Sequence, residues 1–185
     1  MKEIVRCFGT GNKLYEEYHD FEWGVPIHDD RMLFELLILE GAQAGLSWIT
    51  ILKRRETYKK AFDNFDVQII SQYDSEKVKL LMGDPGIIRN KLKIEATILN
   101  ARGFIQIQKE YGSFNKFIWN YVNNTPIVGQ WENLHDIPAS TPLSDRISND
   151  LKKYGFKFVG TTIIYAYLQA IGIVNDHCKK CLVWD

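Results

Sequence analysis

The apolar and polar positions of this chain repeat with a helical period along most of its length. Apolar residues recur every three or four positions, and few stretches alternate as a half-buried strand requires. This pattern predicts an all-α protein without an internal repeat. Six predicted helices cover residues 13–20, 47 to about 62, 67–72, 75–82, 89–111 and 161–170. Three more are predicted: one carries Glu40, one ends at 122, and one begins at 142 and ends at Gly155.

Capping and turn residues mark the ends of these helices. Asn12, Asp29 or Asp30, Ser113 and Thr141 each precede a predicted helix and can accept hydrogen bonds from its first amides. The sequence Gly-Asp-Pro-Gly at 83–86 predicts a turn that leads into the long helix. Residues 123–140, with two prolines, are expected to form an irregular loop.

Length and composition indicate a folded globule. The 185 residues are 45% hydrophobic and 13% aromatic, which suffices for one domain or for two small lobes with a buried core. No apolar run is long enough to span a membrane, and the amino terminus lacks a signal-peptide core. The expected compartment is therefore the cytoplasm, where three cysteines do not indicate a disulfide framework.

Charge gives no general argument for nucleic-acid binding. Lys and Arg together number 23, as do Asp and Glu, so the net charge is zero and any phosphate contact must be local. Basic clusters at 53–55, 89–93 and 152–157 are, taken alone, typical of the solvated faces of amphipathic helices.

Glu40 is the most informative residue of the chain. It is a carboxylate in an otherwise apolar helix, and such a group needs a partner or a function when buried. Small residues at 41, 42, 44 and 45 are expected to leave space near it for a flat ligand, with Trp48 as a stacking wall. The alternative is a plain turn between helices, in which Ser47 is a cap and Trp48 is a core residue.

The turn at 83–88 also admits two interpretations. Its backbone amides can face outward at the positive end of the next helix and bind a phosphate, with Arg89, Lys91 and Lys93 adding charge. The alternative is an ordinary helical hairpin without a ligand.

Cysteines and histidines lie near both ends of the chain. Cys7 and His19 lie near the amino terminus, while His177 and Cys181 are spaced to share one face of a helix. Two thiolates and two imidazoles suit a closed tetrahedral zinc site that would join the termini. Scattered residues without a metal remain the alternative, because the spacing of Cys7 and His19 is not that of a compact zinc finger.

Taken together, these features resemble one family, the bacterial 3-methyladenine DNA glycosylase I enzymes. The matching segments extend over essentially the whole chain, and they are Tyr15–Pro26, Leu39–Thr50, Gly155–Thr162 and Val174–His177. The resemblance implies a helix-hairpin-helix glycosylase fold in a single domain over residues 1–185, with the hairpin at about 82–93. It further implies a monomer that acts on double-stranded DNA containing 3-methyladenine.

The resemblance also implies roles for individual residues. Tyr15, Tyr18, Glu40 and Trp48 match the family's base pocket, with Glu40 and Tyr18 as the catalytic residues. The four ligands of a structural zinc match Cys7, His19, His177 and Cys181. The chain departs from the common pattern at 8–11, where many members have a tryptophan, so Phe8 is expected to supply the second stacking wall. The phosphate contacts are predicted at Gly86, Ile88, Arg89 and Lys91.

Methylation at N3 makes adenine cationic, which suits a pocket that contains a carboxylate and an indole. Two other classes remain open at this point. One is a non-catalytic DNA-binding or base-sensing module, and the other is a small-molecule purine binder. The presence of all three of Tyr18, Glu40 and Trp48 favours the enzyme. The sequence does not identify a residue that would activate water.

Overall fold

The computed structural model describes residues 5–183, and their regular structure is almost entirely helical, as the sequence predicts. A two-residue parallel bridge and two short 3-10 turns, at 63–65 and 134–136, complete it. The elements are α1 (Lys13–Phe21), α2 (Asp30–Gln43), α3 (Trp48–Leu52), α4 (Arg55–Ala61), α5 (Val67–Ile70), α6 (Ser75–Gly83), α7 (Lys91–Tyr111), α8 (Phe114–Asn120), β1 (Ile127–Val128), α9 (Pro142–Lys153), α10 (Thr161–Ala170) and β2 (Val174–Asn175).

The predicted caps are confirmed at several helix starts. The Asn12 and Asp29 side chains accept hydrogen bonds from the amides of Tyr15 and Met32, at 3.2 and 2.9 Å. Several boundaries differ from the predictions, and α5 and α8 each end two residues early. The helix expected over 47–62 is divided into α3 and α4, and α7 begins at Lys91 because Asn90 caps it.

One helical prediction is wrong. Residues 177–181 do not form a helix, so His177 and Cys181 do not share a helical face. The segment instead follows β2, which pairs in parallel with β1 in the register Ile127 with Val174 and Val128 with Asn175. The pairing joins the irregular loop after α8 to the carboxyl-terminal segment.

Helix α2 lies at the centre of the fold. Ten of its residues, from Leu33 to Ala42, are buried, because α2 packs against α3, α7, α8 and α10. A helix surrounded in this way is apolar on all sides. Its two buried carboxylates, Glu35 and Glu40, are therefore exceptions that require an explanation.

The predicted hairpin is formed by α6, a turn over residues 84–90, and α7. It is fixed to the end of α2 by Lys93, whose Nζ donates to the carbonyls of Ala42 and Ala44 at 2.8 and 2.7 Å. Lys93 therefore serves as a cap for the carboxyl-terminal end of α2. The sequence had instead suggested that Lys93 adds charge near a phosphate at the turn. Among the described residues, no helix is both long enough and apolar enough to cross a membrane.

Candidate active site and metal cluster

A cleft of about 330 Å³ lies beside the carboxyl-terminal half of α2. The cleft brings together five residues that the sequence analysis assigned to one pocket, namely Phe8, Tyr15, Tyr18, Glu40 and Trp48. Side chains of α1, α2, α3 and α10 meet there, together with residues 134–139 of the irregular loop. A cleft of this size, lined by aromatic groups and one carboxylate, is typical of a small-ligand site.

Glu40 is 5% exposed and lines the cleft. No hydrogen bond or ion pair from residues 5–183 reaches its carboxylate, and burial alone raises the pKa of Glu40 to about 8. A buried carboxylate with a raised pKa and no protein partner is typical of a functional group.

Tyr15, Tyr18 and Trp48 surround Glu40. The rings of Tyr18 and Trp48 are 5.3 Å apart at their centroids. Burial, and then the charge of Glu40, raise the pKa values of Tyr15 and Tyr18, so both hydroxyls stay protonated and can donate hydrogen bonds. The Trp48 Nε1 atom is buried without a hydrogen-bond partner among residues 5–183, which is costly unless a ligand or water satisfies it.

Phe8 lies in the cleft, with its ring centroid 4.9 Å from those of Tyr15 and Trp23. Trp23 also lines the cleft, although the sequence analysis gave it no role. Trp23 follows Tyr18 in an aromatic stretch of the sequence, and this local pattern could have indicated its place in the cleft. The other unassigned residues at the cleft come from distant parts of the chain, so no local pattern indicates them. They include Gln43, Thr162, Tyr165 and Gln169.

The small residues after Glu40 were predicted to leave space beside it, and only some of them do. Gly41 faces Phe158, whose Cβ would lie 3.3 Å from a side chain at that position, so this glycine allows α2 to pack and does not widen the cleft. Ala44 and Gly45 line a second depression of about 200 Å³, which shares Glu40, Gln43 and two residues of α10 with the main cleft. The space near Glu40 therefore continues past the end of α2.

Beside this cleft lies a cluster of metal-ligating groups. The Sγ atoms of Cys7 and Cys181 and a ring nitrogen of His19 lie within 4.8 Å of one another, and this set can hold a metal ion. Asp20 Oδ1 lies 2.8 Å from His19 Nδ1 and Arg6 Nε donates to it at 2.8 Å, with Arg6 as the main cause of an Asp20 pKa of about 2. A carboxylate that holds one ring nitrogen orients the other toward a metal in many metal sites. Here that nitrogen, Nε2, faces the two cysteines, with the Cys7 amide donating to it at 3.2 Å and Cys181 Sγ at 3.4 Å.

His177 lies next to this group but is not part of it. Its ring centroid is 4.9 Å from that of His19, while its Nδ1 and Nε2 atoms lie 2.7 Å from Asn175 Oδ1 and 3.4 Å from the His19 carbonyl oxygen. Burial lowers the pKa of His177 to about 4, so the ring is neutral, which is the form that binds metals. Its role as the fourth ligand stays a prediction.

The hairpin turn differs from its prediction in part. The Gly86 amide donates to Asp84 Oδ1 at 2.7 Å, and the Ile88 amide donates to the Tyr58 hydroxyl at 3.1 Å, so neither is available to a phosphate. Within the described residues, the amides of Ile87 and Arg89 have no such partner. Arg89 is exposed, while Lys91 lies 3.7 Å from Glu95 in an exposed ion pair.

Comparison with known proteins places this arrangement in a family. Residues 8–184 match the Methyladenine glycosylase family. The chain is 51% identical to DNA-3-methyladenine glycosylase 1 of Escherichia coli strain K12, over 96% of each chain. The chain belongs to the methyladenine glycosylase family.

Solved structures agree with this assignment. A crystal structure of a 3-methyladenine DNA glycosylase I has a TM-score of 0.95 and 48% identity, over 98% of this chain and 100% of that one. A Staphylococcus aureus 3-methyladenine DNA glycosylase I, solved to define its recognition of 3-methyladenine, has a TM-score of 0.93 and 41% identity. That comparison covers 95% of this chain and 94% of the other.

Proposed function

We propose that this protein is a DNA-3-methyladenine glycosylase I, which removes 3-methyladenine from alkylated DNA by hydrolysis of the N-glycosidic bond. The observation that carries the proposal is the unpartnered Glu40 carboxylate in an aromatic cleft, in a chain 51% identical to a glycosylase of that name. The products are the free base and an abasic site. Since one chain supplies the whole cleft, we infer a monomer in which residues 1–185 act as one domain.

Glu40 gives the cleft its preference for a cationic base. Because burial raises its pKa to about 8, Glu40 is the neutral acid near pH 7 when no cation lies beside it. A cationic base lowers that pKa, so the carboxylate becomes charged and gains the energy of the pair. A neutral adenine leaves Glu40 as the neutral acid, so its binding gains no energy from a charge pair.

The aromatic residues hold the base once it leaves the DNA stack. Flipping is less costly for a damaged base that pairs weakly. Trp48 and Phe8 provide stacking walls, and Trp48 adds a cation–π interaction with a methylated ring. The protonated hydroxyls of Tyr15 and Tyr18, which both line the cleft, are the proposed hydrogen-bond donors to the base.

Hydrolysis follows from the charge on the base. A cationic purine is a good leaving group, and the bond to the sugar breaks as water attacks through an oxocarbenium-like transition state. Glu40 and Tyr18 are the proposed catalytic residues, because they touch the base while its charge changes. Holding the base and the attacking water in one geometry supplies the rest of the rate enhancement.

We infer that the metal cluster binds one structural zinc ion through Cys7, His19, Cys181 and His177. Two thiolates and two imidazoles form a closed donor set suited to zinc, which leaves no position for a reacting water. A bound metal would connect the two ends of the chain next to Tyr18 and Trp23. Elemental analysis should find about one zinc per chain, lost in Cys181→Ser and retained in Cys178→Ser.

The hairpin is the proposed contact with DNA phosphates. We assign the amides of Ile87 and Arg89 and the Arg89 side chain to this role, while Gly86 and Ile88 act by shaping the turn. A side chain at Gly86 would meet Thr57 Cβ at 2.9 Å, so Gly86→Val should displace the turn. We expect weaker DNA binding by this variant with unchanged binding of free 3-methyladenine. Loss of both activities would indicate misfolding.

The proposed activity is tested with methylated double-stranded DNA. We expect the purified protein to release free 3-methyladenine, and unmethylated DNA of the same sequence to release no adenine. Binding of methylated DNA without release of base would instead support a non-catalytic, base-sensing module. Binding of free purine without any binding of DNA would support a small-molecule receptor.

A further inference from the structure

A third buried carboxylate, besides Glu35 and Glu40, connects two parts of the cleft. Asp176 follows β2 and is 1% exposed. It accepts hydrogen bonds from Trp131 Nε1, the Tyr165 hydroxyl and Gln169 Nε2, at 2.6, 2.6 and 2.8 Å. We call Asp176 and its three donors the Asp176 cluster. None of the roles assigned above uses this cluster.

The donors belong to two different sides of the site. Tyr165 and Gln169 are on α10, and both line the cleft. Trp131 does not line it, but it begins the segment 131–139, of which Leu134, Ile137, Pro138 and Ala139 do. One carboxylate therefore fixes a helix and a loop that both contribute to the cleft.

The loop is built to bring Trp131 to this carboxylate. The Gly129 amide donates to the Asn175 carbonyl at 2.8 Å, and the Lys179 amide donates to the Trp131 carbonyl at 2.9 Å. A side chain at position 129 would overlap both Trp131 Nε1 and Asp176 Oδ1, so only glycine fits there. The whole loop between α8 and α9 has little other regular structure, since it contains only β1 and one 3-10 turn. Its position thus depends strongly on the Asp176 cluster.

We propose that Asp176 is a positioning residue of the glycosylase, which holds the segment 131–139 and the α10 side chains at the separation that admits an extruded base. This inference rests on the proposed function for its effect on activity. The physical reason is the acceptor capacity of a carboxylate, because both oxygens are needed for three donors in a buried site. A loosened cluster would widen and disorder one side of the cleft without altering Glu40.

Asp176→Asn tests the cluster with a small change. An amide has one acceptor oxygen and one NH2 group. When its oxygen serves Tyr165 and Gln169, its NH2 group faces the Trp131 N–H, so two donors oppose each other. We expect the enzyme concentration that gives half the maximal single-turnover rate to rise about tenfold. The rate at saturating enzyme should stay near that of the parent, because the chemistry around Glu40 is unchanged.

Trp131→Phe provides the rescue, since it removes the opposing donor and does not touch the cleft. In the Asp176→Asn background it should restore most of the lost affinity, although alone it should weaken affinity slightly.

Asp150→Asn is the matched control. Asp150 also accepts a tyrosine hydroxyl, that of Tyr121 at 2.7 Å, and neither residue lines the cleft. Zinc content must equal that of the parent, because Asp176 precedes His177.

Unchanged half-saturation in Asp176→Asn, or equal losses with and without Trp131→Phe, would overturn the proposal. If Asp176→Asn does not fold, Trp131→Phe alone must still raise the half-saturating concentration, and no rise would overturn it. The coupling free energy between the two substitutions, measured by urea unfolding, needs no substrate. A parent that releases no base would contradict the proposed function alone, whereas a coupling near zero would contradict the cluster alone.

Discussion

Glu35 and Glu40 are two buried carboxylates on the same helix, and their surroundings are opposite. Glu35 is 1% exposed and accepts from Arg55 Nε at 2.6 Å and Arg31 Nη1 at 3.0 Å. Glu40 is buried to nearly the same extent but has no protein partner among residues 5–183, and its pKa rises to about 8. The chain therefore satisfies one acid internally, whereas the other lacks a partner within residues 5–183.

Glu35 and Glu40 are five residues apart on one helix, and the difference in their partners indicates different roles. A paired buried acid holds elements together, since Arg55 comes from α4 and also forms an ion pair with Glu22. An unpaired buried acid reduces stability, and it persists because its energy is recovered when a ligand binds. Burial alone does not distinguish the two acids, whereas their hydrogen-bond partners do.

The largest expected effect is on stability at Glu35. Glu35→Gln should lower the free energy of unfolding by about 3 kcal/mol, the lower end for a broken buried ion pair, because Arg55 then keeps only Glu22 as a charged partner. Urea unfolding measures this loss, with Glu40→Gln as the matched control on the same helix. Equal losses in the two variants would contradict the distinction between the acids.

The next effect is on activity at Glu40. Glu40→Gln keeps the shape of the side chain and removes its charge, so excision of 3-methyladenine at saturating enzyme should fall about 100-fold. Single-turnover release of the base from methylated DNA measures the change. Glu35→Gln, assayed where it is fully folded, should retain the rate of the parent. A Glu40→Gln rate equal to that of the parent would remove Glu40 from the mechanism.

The third effect is the pH dependence of stability. Glu40 has a raised pKa of about 8 in the folded protein, so between its unfolded value and 8 the folded state binds more protons. The stability of the parent should therefore fall, relative to Glu40→Gln, as the pH rises through this window. We expect a total of about 2 kcal/mol, because water in the open cleft weakens the desolvation.

Urea unfolding of both proteins at several pH values measures this difference, and the metal ligands cancel because both proteins contain them. A constant difference between parent and variant would show that Glu40 is not a buried acid with a raised pKa. A difference of the opposite sign would show that it has an unrecognised partner.

The smallest effect concerns the second partner of Glu35. Arg31 lies on the same helix and its side chain is 38% exposed, whereas that of Arg55 is 13% exposed. Arg31→Ala should therefore cost only about 0.5–1 kcal/mol, as for other largely solvated pairs. Arg55→Ala is the comparison, measured by the same unfolding assay. A loss at Arg31 as large as that at Arg55 would show that both arginines are needed to satisfy Glu35.

The sequence by itself determined the helical class, most helix starts and five of the residues that line the cleft. Helical periodicity and caps such as Asn12 and Asp29 act over three or four residues, so a local pattern contains them. Glu40 was identifiable because a carboxylate in an apolar helix is costly wherever that helix packs. The long motifs that resemble the glycosylase family then indicated Tyr15, Tyr18 and Trp48.

Only the tertiary structure decided which groups meet across long separations. Arg55 is 20 residues from Glu35, so the sequence could not show that one acid is paired and the other free. Lys93 as a cap for α2 and the Asp176 cluster are likewise contacts between distant elements. The segment 177–181 is held by the hydrogen bonds of the Cys178 amide to Cys7 Sγ and of the Lys179 amide to the Trp131 carbonyl, which override the helical spacing of His177 and Cys181. Such contacts depend on how helices pack, and local periodicity does not encode them.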